Sequence, residues 1–220
     1  MTLTLQQEAT PRHSKSFLEA QSLASRRMGF SVTKACPLRC SHCSVGAAPQ
    51  FSETTFGAEF AERVAEQLPA LHASGIKFID FTGGEPTLAR VFLQRVSAAA
   101  VAVGIECSVV SAAHWARTPS EARAFVQKFP HIQNWDISTD VYHIPFVPLE
   151  QAELAFNVLA ELGRNVLMRI AHHEPIYRSP LQRLYDDILE IAAMIDPCAR
   201  EFIENHGRAQ EVIDQHQAAI

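Results

Sequence analysis

Strand-like and helix-like segments alternate strictly along most of this chain. The strand-like segments are short and apolar: Met28–Ala35, Ile76–Thr82, Ile105–Ser111, a part of His131–Thr139, Asn165–Ala171 and Ala199–Asn205. Helix-like segments follow the first five of them: a stretch with Phe56, Phe60, Val64, Leu68 and Leu71 at helical spacing, then Ala89–Val103, a helix opening at Thr118-Pro119, Pro148–Leu162, and Ser179-Pro180 to about Ile195. This order predicts right-handed βαβ units and a parallel sheet. Six units are too few for a closed eight-stranded barrel, so we expect an open, partial (βα)6 barrel.

Several residues mark where the predicted helices begin and end. Thr118 and Pro119 form a capping residue followed by proline at the first helical position. Gly104 and Gly163 stand where helices should stop. Pro69 is expected to kink the first helix or to shorten its last turn.

Composition excludes some classes of function. The 220 residues carry a net charge of −5 without a basic stripe, so broad DNA binding is not expected. No apolar run approaches the length of a membrane-spanning helix, and the N-terminus lacks the apolar region of a secretory signal. We therefore expect a cytoplasmic protein without a membrane partner. We expect residues 1–27 to form an arm or an outer helix, 28–210 the barrel and 211–220 a tail.

Three of the five cysteines, Cys36, Cys40 and Cys43, fall within eight residues, directly after the first predicted strand. Three thiolates on one loop can hold three irons of a [4Fe–4S] cluster and leave the fourth iron open to another ligand. A structural zinc site is an alternative, but it needs a fourth ligand, and His42 is poorly placed between two proposed ligands. Buried structural cysteines are a second alternative, which the tight spacing argues against. Cys107, inside an apolar strand, is expected to be a core residue, and Cys198 lacks cluster spacing.

The segment Cys36-Pro37-Leu38-Arg39-Cys40-Ser41-His42-Cys43 resembles the CxxxCxΦC signature of the radical S-adenosylmethionine (SAM) superfamily. The segment Gly83-Gly84-Glu85-Pro86, about forty residues later at the end of the second predicted strand, resembles the GGEP motif of that family. The resemblance extends over roughly residues 28–210. His206-Gly207-Arg208-Ala209 resembles an element that follows the sixth strand in many members.

The resemblance implies two cofactors, a [4Fe–4S] cluster on Cys36, Cys40 and Cys43, and SAM bound to its open iron. It implies reductive cleavage of SAM to methionine and a 5′-deoxyadenosyl radical, which takes a hydrogen atom from a substrate. An external reductant such as flavodoxin or ferredoxin would supply the electron. We expect the substrate to be a peptide or a small molecule, and the sequence does not choose between them.

The same resemblance assigns roles to residues at the strand ends. Gly83 and Gly84 would let the backbone approach a ligand, and Glu85 would face the methionine ammonium. The alternative for this segment is an ordinary turn before a helix. His42, at the Φ position, would lie near the adenine, or it is an exposed loop histidine.

Polar residues interrupt the later strands. Ser138 and Asp140 share one face of the fourth strand by period-two alternation, and the family often places ribose contacts here. The alternative is a helix or turn cap. Arg169 breaks an apolar strand and would meet the SAM carboxylate, or it forms an ion pair with Asp136 or Asp140. Ser111 is a further candidate for a SAM contact.

Two other functions stay open at this point. The chain could be a non-catalytic iron–sulfur or zinc protein, although an electron carrier has no need of the GGEP segment. It could also be an inactive binding relative, which the intact motifs argue against. The segments Asp140-Val141-Tyr142-His143 and His172-His173-Glu174 lie just past strand ends and are either substrate contacts or solvated loops.

Overall fold

The computed structural model describes residues 26–172 and 200–203. Several features considered above lie outside these residues: most of the N-terminal arm, His173-Glu174, the helix expected from Ser179, Cys198, the element at 206–209 and the tail 211–220.

Parallel strands form one sheet in the described residues, and their spatial order follows the sequence from β1 to β6. Each strand pairs with the next one along the chain, as in a barrel that is left open between its first and last strands. The strands are β1 (Arg27–Ser31), β2 (Phe78–Thr82), β3 (Glu106–Ser111), β4 (Asn134–Ser138), β5 (Asn165–His172) and β6 (Arg200–Ile203). The predicted α/β class with a parallel sheet is confirmed.

Helices connect the first five strands. They are α1 (Ala58–Ala73), α2 (Arg90–Ala102), α3 (Pro119–Val126) and α4 (Leu149–Glu161). Short 3₁₀ helices at Pro49–Thr54 and Pro86–Leu88 lie in the loops after β1 and β2. Among the described residues, no helix has the length and apolar character needed to span a membrane.

The predicted helix ends are largely confirmed. The Thr118 hydroxyl accepts a hydrogen bond from the Glu121 amide at 3.2 Å and caps α3. Gly104 and Gly163 both have positive φ, the conformation in which glycine ends a helix at least cost. Pro69 lies inside α1, which continues to Ala73, so the expected shortening was wrong. β1 is also shorter than expected, because the chain leaves the sheet after Ser31 and forms the cysteine loop.

The two faces of the sheet differ in polarity. One face packs against the helices with fully buried apolar side chains, among them Ile79, Phe81 and Trp135. Phe92 of α2 lies at the centre of an aromatic group there, with its ring centroid 5.4 Å from that of Phe56 and 6.2 Å from that of Phe81. Burial of this apolar surface is the main stabilising term of the fold.

The opposite face carries a row of polar side chains in register across the middle strands. The row consists of Asp80, Ser108, Asn134 and Asn165. Asp80 is buried and pairs with Arg27 of β1 and with the Ser108 hydroxyl. A buried charge needs such partners. The alternation of apolar and polar faces therefore directs the polar residues of the strand ends towards one common side.

Candidate functional site

A pocket lies at the carboxyl ends of the strands, where parallel α/β proteins place their chemistry. All predicted site residues except Ser111 line it. The lining residues that were predicted are Cys36, Cys40, His42, Cys43, Gly83, Gly84, Glu85, Ser138, Asp140 and Arg169. His143, Thr82 and Val110 line it as well.

The cysteine loop folds back on itself between β1 and the first 3₁₀ helix. The Cys43 amide donates to the Cys40 carbonyl at 3.3 Å, and the Ala47 amide donates to Cys43 Sγ at 3.3 Å. Cys40 is buried, whereas Cys36 and Cys43 are half-buried, and all three are thiols that are not in disulfides. Burial raises the pKa of Cys36 to about 12. Binding of a metal by this residue would therefore release a proton.

The GGEP segment packs directly on the start of the cysteine loop. The Gly84 amide donates to the Thr33 carbonyl at 2.6 Å, and the Glu85 amide donates to the Ala35 carbonyl at 2.8 Å. A Cβ atom at Gly83 would overlap with the Thr33 carbonyl oxygen, and one at Gly84 with that of Ala35. Glycine is thus required at these two positions because the segment approaches the backbone of the cysteine loop closely.

Glu85 is almost fully buried, and donors surround its carboxylate. Oε1 accepts from the amide and hydroxyl of Thr87 at 3.2 and 2.6 Å, and Oε2 accepts from the Ala112 amide at 3.0 Å. His114 Nδ1 lies 3.4 Å from Oε2. Burial alone would raise the pKa of Glu85, but His114 and these hydrogen bonds outweigh it and lower that pKa. The group is therefore a fixed negative charge in the pocket wall.

Ser111 holds Glu85 instead of lining the pocket. Its hydroxyl donates to Glu85 Oε2 at 3.2 Å and accepts from Trp115 Nε1 at 2.9 Å. Ala113, two residues after Ser111, is buried and has a positive φ of 58°, a conformation that non-glycine residues adopt rarely. The sequence showed Ser111 at a strand end, but no local pattern predicts a partner in the preceding βα loop.

Asp140 closes the turn that follows β4. Its Oδ1 accepts from the amides of Tyr142 and His143 at 2.9 and 3.0 Å, which is the cap considered as an alternative above. The same oxygen lies 2.8 Å from His143 Nδ1. Burial would raise the pKa of Asp140, but His143, His42 and the turn amides outweigh it and lower that pKa to about 2. A direct contact to a ribose remains a prediction.

His42 is a buried member of an aromatic group, so it is not an exposed loop histidine. Its ring stacks on Tyr142 with centroids 4.4 Å apart, and its Nε2 lies 3.5 Å from Asp140 Oδ2. The ring of His143 meets it edge-on at 5.0 Å. Tyr142 and His143 belong to the turn segment that the sequence left open between substrate contact and solvated loop.

Arg169 of β5 pairs with Asp136 of β4, as the ion-pair alternative predicted. It nevertheless lines the pocket, and its side chain is 19% exposed. Asp136 Oδ1 is buried and has no hydrogen-bond partner in the described part of the chain. A cation held by one buried carboxylate could still bind an anionic ligand in the pocket.

The residues present fit an iron–sulfur cluster. Three thiols from one loop line a single pocket, and this is the donor set that iron–sulfur clusters use. The pocket also offers the fixed charges of Glu85 and Arg169 beside these thiols. Such a site suits a ligand that carries both a positive and a negative group.

Comparison with known proteins agrees with the motifs. Residues 30–132 match the profile of the Radical SAM superfamily. Solved structures that are similar to the chain include the following two. BtrN in complex with AdoMet and 2-DOIA has 16% identity, a TM-score of 0.46, and coverage of 66% of this chain and 56% of its own. TYW1 with a lysine-pyruvate adduct bound has 16% identity, a TM-score of 0.39, and coverage of 75% and 70%. No protein of curated function matches the chain significantly.

The packing of Gly84 on Ala35 predicts a large effect of a single methyl group. Gly84→Ala should lower the free energy of unfolding by about 2 kcal/mol or more, because the added carbon has no space beside the carbonyl. Urea unfolding of the purified chain measures this. Gly29→Ala is the matched control, since nothing lies within 4 Å of a Cβ there and a change below about 0.5 kcal/mol is expected. Equal losses in both variants would contradict the packing described here.

The bridge from Ser111 to Trp115 and Glu85 predicts a second effect on stability. Ser111→Ala should cost about 1–3 kcal/mol, because the buried indole N–H loses its acceptor. Thermal unfolding followed by tryptophan fluorescence checks this. Ser97→Ala serves as control: this serine is also buried, but its hydroxyl makes only a long bond of 3.4 Å to the Gln94 carbonyl within α2. A smaller loss in the Ser111 variant than in the Ser97 variant would refute the bridging role.

Proposed function

Because residues 30–132 match the profile of the Radical SAM superfamily, we propose that the chain is a radical SAM enzyme that holds one [4Fe–4S] cluster on Cys36, Cys40 and Cys43 and cleaves SAM reductively in the pocket above them. A reductant such as flavodoxin or ferredoxin would deliver the electron. The substrate would be a peptide or a small molecule that takes part in a biosynthetic reaction.

One observation carries the proposal. Two motifs that lie about forty residues apart in the sequence line the same pocket, and main-chain hydrogen bonds hold them together. Three thiols and a buried carboxylate thereby face one space. A structural zinc site or an electron carrier would not need the glycine-glycine-glutamate segment at that place.

When bound, the cluster would supply the electron that breaks the C5′–S bond of SAM and yields the radical that takes hydrogen from the substrate. The chain's own residues would position the reactants and keep water away. Glu85 would favour the methionine ammonium through its charge, because both of its oxygens already accept hydrogen bonds. Arg169 would favour the methionine carboxylate.

We further propose that Ser138 and Asp140 form the ribose side of the site and that His42 lies near the adenine. Ser138 is a half-buried, pocket-lining residue at the end of β4. Asp140 would act largely through the turn and the His42 ring that it holds, because its carboxylate is already surrounded by donors.

The decisive experiment is product analysis under anaerobic, reducing conditions. Reconstituted protein should bind about four irons per chain and convert SAM to 5′-deoxyadenosine. Cys36→Ala, Cys40→Ala and Cys43→Ala should each abolish this conversion, because the cluster loses one of its three ligands. Cys107→Ala should keep it, since that thiol is buried within β3. Failure of the zinc-free, reduced chain to take up iron and sulfide, or cleavage that survives loss of Cys43, would refute the assignment.

A second test concerns the ribose side. Ser138→Ala should weaken SAM binding by about 0.5–1.5 kcal/mol, the usual net worth of a neutral hydrogen bond. This corresponds to a dissociation constant that is roughly two- to tenfold higher. Anaerobic equilibrium titration of the reconstituted chain measures it.

Thr139→Val is the matched control for this test. Thr139 follows Ser138 directly after β4; its side chain is buried, it does not line the pocket, and its hydroxyl has no hydrogen-bond partner among residues 26–172 and 200–203. Valine has nearly the same shape, so SAM affinity should not change. A loss of affinity in the Thr139 variant with none in the Ser138 variant would mean that the wrong face was assigned.

A further inference from the structure

Two histidines lie beside Cys40 in the pocket wall. One ligand atom from each of Cys40, His42 and His143 lies within 4.8 Å of the other two. Cys40 and His42 are buried, and the His143 side chain is 15% exposed. His42 comes from the cysteine loop and His143 from the turn after β4, so the tertiary fold brings the three together.

This donor set suits zinc. One thiolate and two imidazole nitrogens are among its preferred ligands, with bonds of about 2.3 Å to sulfur and about 2.0–2.1 Å to nitrogen. Tetrahedral geometry then places the ligand atoms roughly 3.3–3.6 Å apart. The present separations, at most 4.8 Å, exceed this spacing by about 1.5 Å or less.

A single carboxylate supports both rings. Asp140 Oδ1 lies 2.8 Å from His143 Nδ1, and Oδ2 lies 3.5 Å from His42 Nε2. The other nitrogen of each ring is therefore the one that a metal would bind. Carboxylates behind metal-bound histidines fix the ring orientation and the tautomer in this way. The turn amides fix Asp140 in its place, and Tyr142 stacks on His42.

We propose that Cys40, His42 and His143 form a second metal site, which binds Zn²⁺ when the iron–sulfur cluster is absent. Water would complete the tetrahedron. Zinc binding rests on the described side chains alone. A consequence for the cluster rests, in addition, on the proposed function. Because Cys40 would be a ligand in both sites, zinc and the cluster exclude each other. The chain thereby carries a competing site that zinc can fill before the cluster is assembled.

Titration of the metal-free, reduced full-length chain with Zn²⁺ against a chromophoric chelator tests the site. The native chain should bind one Zn²⁺. His42→Ala and His143→Ala should each weaken binding at least about tenfold, since both remove a ligand. Asp140→Asn should weaken it about 10- to 100-fold, as loss of a supporting carboxylate typically does. Asparagine keeps an acceptor oxygen for the turn amides, and circular dichroism confirms that each variant is folded.

Cys43→Ser is the matched control, because it removes a proposed cluster ligand but no zinc ligand. Its zinc affinity should equal that of the native chain. Co²⁺ provides a second readout: thiolate-to-cobalt charge transfer should appear in the native chain and in Cys43→Ser and disappear in Cys40→Ser. Zinc affinity that is unaffected by loss of both histidines, or that is lost in Cys43→Ser, would overturn the proposal.

Competition separates this proposal from the proposed function. One equivalent of Zn²⁺ added before iron and sulfide should lower the cluster yield of the native chain, and His143→Ala should resist this effect. If zinc lowers the cluster yield equally in the native chain and in His143→Ala, the claim that both sites share Cys40 is overturned. If the native chain forms no cluster at all, the proposed function fails, and the zinc titration still decides the new site.

Discussion

The site depends on the contact between two loops, one after β1 and one after β2. The amides of Gly84 and Glu85 donate to the carbonyls of Thr33 and Ala35. The two loops approach so closely that no side chain fits at Gly83 or Gly84. Through this contact, the loop that carries the thiols and the loop that carries Glu85 face one pocket. The glycines are thus required for the packing of the two loops against each other. They affect a ligand only indirectly, because this packing shapes the pocket.

Buried charges are the second organising feature of the sheet and its loops. Among the described residues, four buried carboxylates each lie beside a cationic or titratable partner from another strand or from a loop. The pairs are Asp80 with Arg27, Glu85 with His114, Asp136 with Arg169 and Asp140 with His143. Pairing offsets the cost of removing these charges from water. For Glu85, Asp140 and Arg169, which line the pocket, it also fixes the sign of the charge before any ligand binds.

The alternation of segments was sufficient to predict the order and type of the strands, because each βα unit gives its own periodic signal. The two motifs were sufficient to predict that the cysteine loop and the Gly83–Glu85 segment lie at the same edge of the sheet, since parallel strands end at one edge. The partners of the functional residues could not be predicted. Ser111 bridges Glu85 and Trp115, and His143 returns to Cys40 through a tight turn. Such contacts depend on how loops from different strands meet, and the local periodicity of the sequence does not predict these meetings.

The central claim is that the three thiols hold a cluster with one iron open to SAM. Electron paramagnetic resonance of the reduced, reconstituted chain tests it most directly, because it reports on the ligands of the cluster itself. The account predicts the signal of one reduced [4Fe–4S] cluster, with a spectrum that changes on addition of SAM. A well-formed cluster whose spectrum stays the same at saturating SAM would contradict the account.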